Sequence, residues 1–580
     1  MKATFTIKRR PTIAMLEFGA EANFHPVLQR VYRQRKLGGL REIAHSLEHL
    51  LDHRQLSGMA RAVGLLADAV TRDRRILIVG DFDADGATSS ALAMRALRAM
   101  GARQVSYLVP NRFEYGYGLT PEIVAVAAEY KPDIIVTVDN GIASLDGVAA
   151  ARQHNIKVII TDHHLPGAQL PAADAIVNPN LRDDAFPSKH LAGVGVIFYV
   201  MLALRGELRE RGWFAGQSLP EPNLAQYLDL VALGTVADVV PLDHNNRILV
   251  DQGLRRIRAG RCAPGIAALL AQGKRNLADC IATDLGFAVA PRLNAAGRLE
   301  DMSLGIECLL ADDPDRARAL AAQLDELNKQ RREIEQAMQD QAIAALETLN
   351  ARLEGAGLPP GLCIYDERWH QGVIGILAAR IKERVHRPVI AFAMAGEGEL
   401  KGSARSVPGV HIRDVLDAVA TSHPGLLNKF GGHAMAAGLS LSLNNLDVFQ
   451  QAFAEQVISC FEGVPGEAVI FSDGELAAHE LTLDTAEALR NAGPWGQGFP
   501  EPLFDGVFRL HNKRIVGSNH LKLELQPLDA ETVFDGIAFN ETGDGLSDRV
   551  EQLRIAYRLD VNEYRGNRTV QLNIQYLEPV

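Results

Sequence analysis

Cysteine is scarce in this chain. Cys262, Cys280, Cys308, Cys363 and Cys460 are five in 580 residues, scattered, with no Cys-x-x-Cys pair. That pattern excludes a disulfide framework and a zinc–thiolate site, and the five read as small buried hydrophobes. Long apolar runs are also missing: none reaches the ~18 residues of a membrane span. The N-terminal MKATFTIKRRPTIAM carries charge but lacks the apolar core of a signal peptide. A cytoplasmic protein is expected. There is no internal repeat and no low-complexity tract. Nor is there an excess of positive charge: the net charge is −11, where a nucleic-acid module is usually basic. This weighs against DNA binding only in part, because a field depends on where charges lie, and a carboxylate-rich metal site would account for some of the acid.

What is present is an ordinary globular balance, 47% hydrophobic and 23% charged, enough for a sizeable core. At about 100–200 residues per domain the length suggests three or four domains. Residues 1–70 form a mixed, Arg-rich N-terminal extension. From Ile76 short apolar runs alternate with amphipathic stretches: ILIV (76–79), VSYLV (105–109), IIVTV (134–138) and KVIIT (157–161). Continuous apolar strands alternating with helices predict a parallel, doubly wound sheet over 71–310, with ligands beyond the carboxyl ends of its strands. Residues 311–355 open with Asp-Asp-Pro and carry Leu320, Leu324, Leu327 and Ile334 at helical spacing. They predict a connector helix between lobes, although the pattern alone fits an ordinary core helix equally well. A second α/β region spans 356–464. Residues 465–580 hold many short β-type runs and predict a small OB-like β-barrel. The fold class is therefore α/β: two α/β lobes joined by a long helix, with a C-terminal OB-like barrel.

Four segments place acids or histidines at the ends of apolar runs, all read here as strands. They are GDFDADGATSS with Asp81, Asp83 and Asp85; VTVDNGI with Asp139; IITDHHLPG with Asp162, His163 and His164; and LVALGTVADVVPL with Asp238. Each alone fits a helix cap or a solvated loop. Together they sit at one station, the carboxyl edge of one sheet. In an extended segment Asp81, Asp83 and Asp85 would share a face and repel one another unless a cation intervened. Carboxylates mixed with imidazole suit hard or borderline divalent ions, Mn²⁺ over zinc, with Mg²⁺ the alternative. Asp83, Asp85, Asp139, His163 and Asp238 exceed what one ion needs, and paired ions ~3.5–4 Å apart suit phosphoester cleavage.

In order and spacing, DFDADG, VDNG, TDHH and the Asp of GTVADVVPL resemble the four motifs of the DHH phosphoesterase superfamily. The resemblance implies that Asp83 and Asp85 bind separate ions, that Asp139 bridges them, and that His163 and Asp238 complete the shells. It leaves Asp81, a flanking acid, and His164, beside the site, as candidate catalytic residues. One position departs from the pattern: Val79 stands where many small-substrate members carry a histidine.

Along nearly the whole chain the sequence is similar to the RecJ family within that superfamily. The segments are PNRFEYGYGL (110–119), PRLNAAGRL (291–299), WHQGVIGILAARIKERVHRPVIAF (369–392), KGSARSVPGVHI (401–412) and KFGGHAMAAGLS (429–440). The last two resemble the DHHA1 lobe, which would face the DHH lobe across a cleft wide enough for one strand. This resemblance implies an exonuclease acting 5′→3′ on single-stranded DNA in repair and recombination. Ser403, Arg405, Gly431, Gly432 and His433, with Arg112, would hold the terminal 5′ phosphate. Arg292, Asn294 and Arg298 would line the DNA path. A single-strand-binding protein and repair helicases would be partners of a monomer. The residues suit phosphate: Ser403 and Arg405, two apart on a strand, share a face; arginine grips phosphate bidentately; and paired glycines let backbone N–H groups approach an anion. Blander readings stand beside these. The Gly-Gly is a tight turn, Arg405 a surface ion-pair residue, and Arg292 and Arg298 braces of the lobe. In the barrel, Lys513, Arg514 and Lys522 would extend the grip.

The alternatives at this point are a small-molecule DHH enzyme, such as a pyrophosphatase or an oligonucleotide or cyclic-dinucleotide phosphodiesterase, and a non-catalytic scaffold. A third is a tRNA-editing role, since DHHA1-like lobes recur there. Activity on long single strands, and its dependence on metal, discriminates among them.

Overall fold

The computed structural model describes residues 4–11, 24–35, 37, 39–110, 118–352, 358–396, 398–460, 467–517, 520–543, 546, 549–564 and 566–580. It divides into two compact units. One comprises Arg9–Asn328 with Ser472–Val580, the other Met1–Lys8 with Lys329–Phe471. Among the described residues no helix is long and apolar enough to cross a membrane.

A short strand, β1 (Thr4–Arg9), opens the chain. The first unit is then built on β2 (Ile76–Val79), β3 (Val105–Leu108), β4 (Ile134–Val138), β5 (Lys157–Thr161) and β6 (Ala175–Val177). Their order is β3-β2-β4-β5-β6 and every pairing is parallel. β2 and β4 are buried at every position, as strands covered by helices on both faces must be. The covering helices include α1 (Ala84–Ala99), α2 (Pro121–Glu129), α3 (Leu145–Gln153), α4 (Gly193–Glu210), α5 (Leu228–Ala237) and α6 (Ala290–Leu299). The chain leaves β2 toward β3 on one side, while β4 pairs on the other. The strand order thus reverses at the β2–β4 boundary, where a doubly wound sheet opens its crevice.

The fourth segment departs from the sequence expectation. LVALGTVA is not a strand but most of α5, buried from Leu228 to Thr235. A segment enclosed on all sides shows no polar face, so neither a period of 2 nor one of 3.6 is visible in it. Asp238 caps the C-terminal end of that helix.

The long helix α7 (Pro314–Arg352) follows; Leu324 and Leu327 are buried in the first unit, and Met338 and Ala342 in the second. The second unit carries the mixed sheet β10-β11-β9-β8-β7. Its strands are β7 (Leu362–Tyr365), β8 (Val389–Gly396), β9 (Glu399–Arg405), β10 (Lys429–Gly432) and β11 (Ala436–Ser442), with α8 (Ile374–Val385) between β7 and β8. β12 (Glu467–Ser472) pairs with β1.

The C-terminal strands β13 (Phe504–Val516), β14 (His520–Pro527), β15 (Phe534–Ala538), β16 (Gln552–Tyr564) and β17 (Asn567–Pro579) close into a barrel, β13-β14-β15-β17-β16. Only β15–β17 is parallel, which is the five-stranded OB arrangement. Barrel and sheet are not independent bodies: one apolar core runs from Ile78 and Ile197 to Phe504, Leu523 and Tyr557.

Candidate metal centre

The first motif reaches the sheet edge through a helix start. β2 ends at Val79 and α1 begins at Ala84, so Asp81, Asp83 and Asp85 do not line one face of an extended segment, as their alternation had suggested. Asp83 is the N-cap of α1. Its Oδ1 accepts from the N–H of Asp85 at 2.9 Å and of Gly86 at 3.0 Å, satisfying donors that a helix start leaves open. Asp85, in the first turn, accepts from the N–H of Gly193 at 2.6 Å and of Val194 at 3.0 Å. Two helix N-termini, of α1 and α4, thus meet at one buried carboxylate, where their dipoles favour negative charge. Asp81 Oδ1 accepts from the Phe82 N–H at 2.8 Å.

Asp139 follows β4 in the left-handed region, with φ of 63°, a conformation few non-glycine residues adopt. Its N–H bonds Thr161 O at 3.1 Å. The next residue, Asn140, donates from Nδ2 to Val79 O at 3.1 Å and to Val138 O at 2.9 Å, tying together the ends of β2 and β4. From the end of β5, His163 places Nε2 3.0 Å from Asp139 Oδ1 and 3.4 Å from Asp238 Oδ2. The neighbouring Asp162 turns the other way. Its Oδ1 accepts from the N–H groups of His163 and His164, at 2.7 and 3.0 Å, and lies 2.7 Å from His164 Nδ1. Its Oδ2 accepts from Ile142 N–H at 2.9 Å. Asp162 therefore fixes the His-His turn and the His164 ring.

Ligand atoms of Asp85, His163 and Asp238 lie within 4.8 Å of one another, as do those of Asp81, Asp83 and Asp139, and those of Asp139, His163 and His164. Asp139 and His163 each belong to two of these groups. Burial and the neighbouring carboxylates hold Asp81, Asp139 and Asp238 well above the usual carboxylate range. Burial and the charge of Asp83 push Asp85 up to about 7, against the backbone N–H groups of Val194 and Gly193. For Asp162, burial is outweighed by its bond to His164, and its pKa is lowered. Burial works against a charged His164, but the same bond raises it to about 9. A set of desolvated, mutually repelling carboxylates with one or two imidazoles is the donor chemistry that a hard or borderline divalent cation satisfies.

Two glycines that the sequence reading did not single out make the cluster possible. A Cβ on Gly193 would lie 2.5 Å from Asp139 Cβ, and one on Gly234 would lie 2.3 Å from Thr88 Oγ1 and 2.7 Å from Asp85 Oδ1. Helix α6 presses on the first motif from outside. Asn294 Oδ1 accepts from Ala84 N–H at 2.8 Å, and a Cβ on Gly297 would strike the carbonyl of Phe82.

This changes the reading of PRLNAAGRL. Arg292 is buried and its guanidinium is engaged inside the lobe, with Nε 2.9 Å from Asp325 Oδ1 and further bonds to Ala288 O and Gln272 O. These bonds brace α6 against α7 from inside the lobe, the blander of the two roles the sequence offered for Arg292. Asn294 is likewise a cap on the first-motif loop. Arg298, in the last turn of α6, is half-buried.

In the second unit, Arg405 donates to Ser403 Oγ at 3.1 Å and to Ala404 O at 2.8 Å. Among the described residues no carboxylate pairs with it, and burial lowers its pKa. Both side chains lie at the start of α8, where a Cβ on Gly375 would be 3.0 Å from each. The sheet register sets Gly438 beside Ser403, and Gly431 beside Gly438. Gly432 has φ of 145° and packs against Ala436 O, where a Cβ would come to 2.4 Å. His433 donates its N–H to the same carbonyl at 2.8 Å. Arg112 lies outside the described residues.

Family models match in three places: the DHH family, N-terminal domain, over residues 75–235, the DHHA1 domain over 359–459, and the RecJ OB domain over 472–576. Over the full length of both chains the sequence is 58% identical to the single-stranded-DNA-specific exonuclease RecJ of Dickeya dadantii and 53% identical to that of Escherichia coli. The chain belongs to the RecJ family. A crystal structure of RecJ from Thermus thermophilus in complex with Mn²⁺ superposes with a TM-score of 0.80 at 29% identity, covering 100% of this chain and 80% of that one. The same protein in complex with Mg²⁺ gives 0.75 at 27%, over 100% and 79%. RecJ relatives thus share all three parts of this chain: the parallel-sheet lobe, the DHHA1 lobe and the OB barrel.

Proposed function

We propose that this chain is an exonuclease specific for single-stranded DNA, hydrolysing phosphodiester bonds at a pair of divalent cations and working from the 5′ end. The observation that carries this is the convergence of Asp81, Asp83, Asp85, Asp139, His163 and Asp238 on overlapping groups, in a chain more than half identical to RecJ exonucleases. Asp81, Asp83 and Asp139 would hold one cation and Asp85, His163 and Asp238 the other, with Asp139 and His163 brought together in a third group that includes His164. When bound, Mn²⁺ or Mg²⁺ supplies a nucleophilic water and offsets charge building on the phosphate oxygens. The protein's own part is positional. Two helix N-termini fix Asp85, a left-handed backbone sets Asp139 at the end of its strand, and Asp162 orients the His164 ring beside the centre.

Direction of digestion would come from the second unit. Ser403 and Arg405, with the Gly431–His433 turn in the same sheet, would hold a terminal phosphate, since a desolvated guanidinium that no carboxylate among the described residues pairs gains most from an anion. Removal of nucleotides from 5′ ends of single strands fits DNA repair and recombination, with single-strand-binding protein and helicases as the implied partners.

The test is digestion of single-stranded DNA labelled at each end in turn, with and without Mn²⁺. The 5′ label should be released first and only with metal. Asp139→Ala should abolish hydrolysis while strand binding persists. Loss of binding in parallel with activity would assign Asp139 a structural role and sink this reading of the centre.

A further inference from the structure

Phenylalanine 287 is 75% exposed, although its neighbours Leu285, Ala288 and Val289 are buried. The backbone there is also irregular. Residues Leu285–Val289 form a π-helical turn leading into α6, and the cause is in the sequence. Pro291 has no N–H to give the carbonyl of Phe287 four residues earlier, and its ring crowds that carbonyl. The helix widens instead, a device frequent at functional sites.

The π turn is held between two segments. On one side, a Cβ on Gly286 would lie 3.2 Å from Val236 Cγ1, so the turn abuts the end of α5, two residues before Asp238. The residue after Asp238, Val239, is itself 63% exposed and has φ of 60°, an outlier for a β-branched side chain. On the other side, a Cβ on Gly273 would lie 2.8 Å from Ala288 Cβ. The loop that begins at Gly273 carries Lys274, exposed and also at positive φ, 55°, and Arg275, which pairs with Asp284 at 3.1 Å. The uncovered ring thus lies on a turn packed on one side against the segment that runs into Asp238 and the uncovered Val239, and on the other against the loop that carries the uncovered Lys274.

Resting on the function proposed above, we propose that Phe287 is a stacking platform for an unpaired nucleobase of the substrate strand, with Lys274, on the loop packed against the same turn, contacting the strand's phosphates. An unpaired base offers a flat apolar face of the kind that covers a lone exposed ring, and a duplex does not. The alternation of a ring and a cation is how single strands are held without sequence readout.

The experiment uses the full-length chain carrying Asp139→Ala, so that the strand stays intact, and measures binding of a fluorescent oligothymidylate and of a matched strand with abasic sites. Adding Phe287→Ala should weaken binding of the base-bearing strand about 5- to 150-fold, the span of one stacked base, and leave the abasic strand nearly unchanged. Phe287→Trp should restore affinity. Adding Lys274→Ala should reduce the slope of log affinity against log salt by ~0.7. Binding within twofold after Phe287→Ala, or equal losses on both strands, overturns the platform. Digestion of the same strand by the unmodified chain separates the two readings. If that digestion occurs and Phe287→Ala is neutral, only the platform falls. If no digestion occurs, the exonuclease reading falls and the platform with it.

Discussion

Replacing Gly193 by alanine adds one methyl group to the first turn of α4, where alanine is the better helix former. On helix propensity alone the variant should be neutral or slightly more stable. The site predicts otherwise. The new Cβ would sit 2.5 Å from Asp139 Cβ and 2.8 Å from its Cγ and Oδ1, whereas carbon atoms rest at ~3.5–4.0 Å. Asp139 or α4 must then give way by about 1 Å, and both have reasons to stay: Asp139 is pinned in a left-handed backbone conformation, and the Gly193 N–H is bonded to Asp85 at 2.6 Å. A 1 Å misplacement of a catalytic group costs about 100-fold in rate, and overpacking costs ~1–3 kcal/mol of stability. We expect Gly193→Ala to fold, to lose some two orders of magnitude in kcat on single-stranded DNA, and to bind Mn²⁺ more weakly. Calorimetric titration of Mn²⁺ and steady-state digestion read the two effects, with a circular-dichroism melt confirming the fold. Wild-type kcat with wild-type Mn²⁺ affinity would refute the claim that Asp139 and α4 are in hard contact.

Arg292→Ala should lose about 3–5 kcal/mol of stability, because a buried ion pair with Asp325 would be broken from one side; denaturant unfolding measures this, and unchanged stability with weakened strand binding would favour the DNA path for Arg292. Arg405→Ala should slow digestion of 5′-phosphorylated strands by about 10- to 150-fold, the worth of a charge-assisted bond of ~1.5–3 kcal/mol, and spare 5′-hydroxyl strands; equal losses on both would remove the terminal-phosphate pocket.

How much of this was legible in the sequence varied with the kind of signal. ILIV, IIVTV and KVIIT are uninterrupted and flanked by polar turns, so they read as buried parallel strands, and they are. The acids and histidines following them were legible because chemistry-bearing side chains stand out against apolar runs. Asp238 was found for that reason even though the run before it is helix α5 and not a strand. The route of the first motif was not legible, since Asp-x-Asp-x-Asp fits an extended segment as well as a loop followed by an N-cap. Gly193 and Gly234 were missed because what they avoid, Asp139 and Asp85, is far away in the chain; a glycine among apolar residues announces nothing until the fold brings a neighbour close. The local roles of Arg292 and Asn294 were not legible for a related reason. A polar residue in a basic, glycine-containing segment looks available to a ligand, and only the positions of Asp325 and the Ala84 N–H show that both are engaged.

The acids of the centre also link metal to stability. With burial and mutual repulsion holding Asp81, Asp139 and Asp238 above the usual range and Asp85 near 7, the cation-free fold takes up protons that the unfolded chain would release. A carboxyl whose folded pKa is raised contributes stability that is complete below its unfolded pKa and is lost as pH rises through the folded one. The cation-free protein should therefore weaken from roughly pH 4, the unfolded carboxylate range, through about pH 7, where Asp85 ionises, and further as the other three lose their protons. A divalent cation replaces those protons, so its stabilising effect should grow over the same interval: small at pH 5, where protons compete for the carboxylates, and larger at pH 8. At a concentration 100 times its Kd, one bound ion contributes ~2.7 kcal/mol. Thermal melts with and without Mn²⁺ at pH 5.5 and pH 8 measure the difference, and Asp139→Asn, which removes a charge common to two of the groups, should shrink it. A Mn²⁺ shift of equal size at both pH values would mean that the ion binds away from these carboxylates, and that their closeness serves some end other than holding metal.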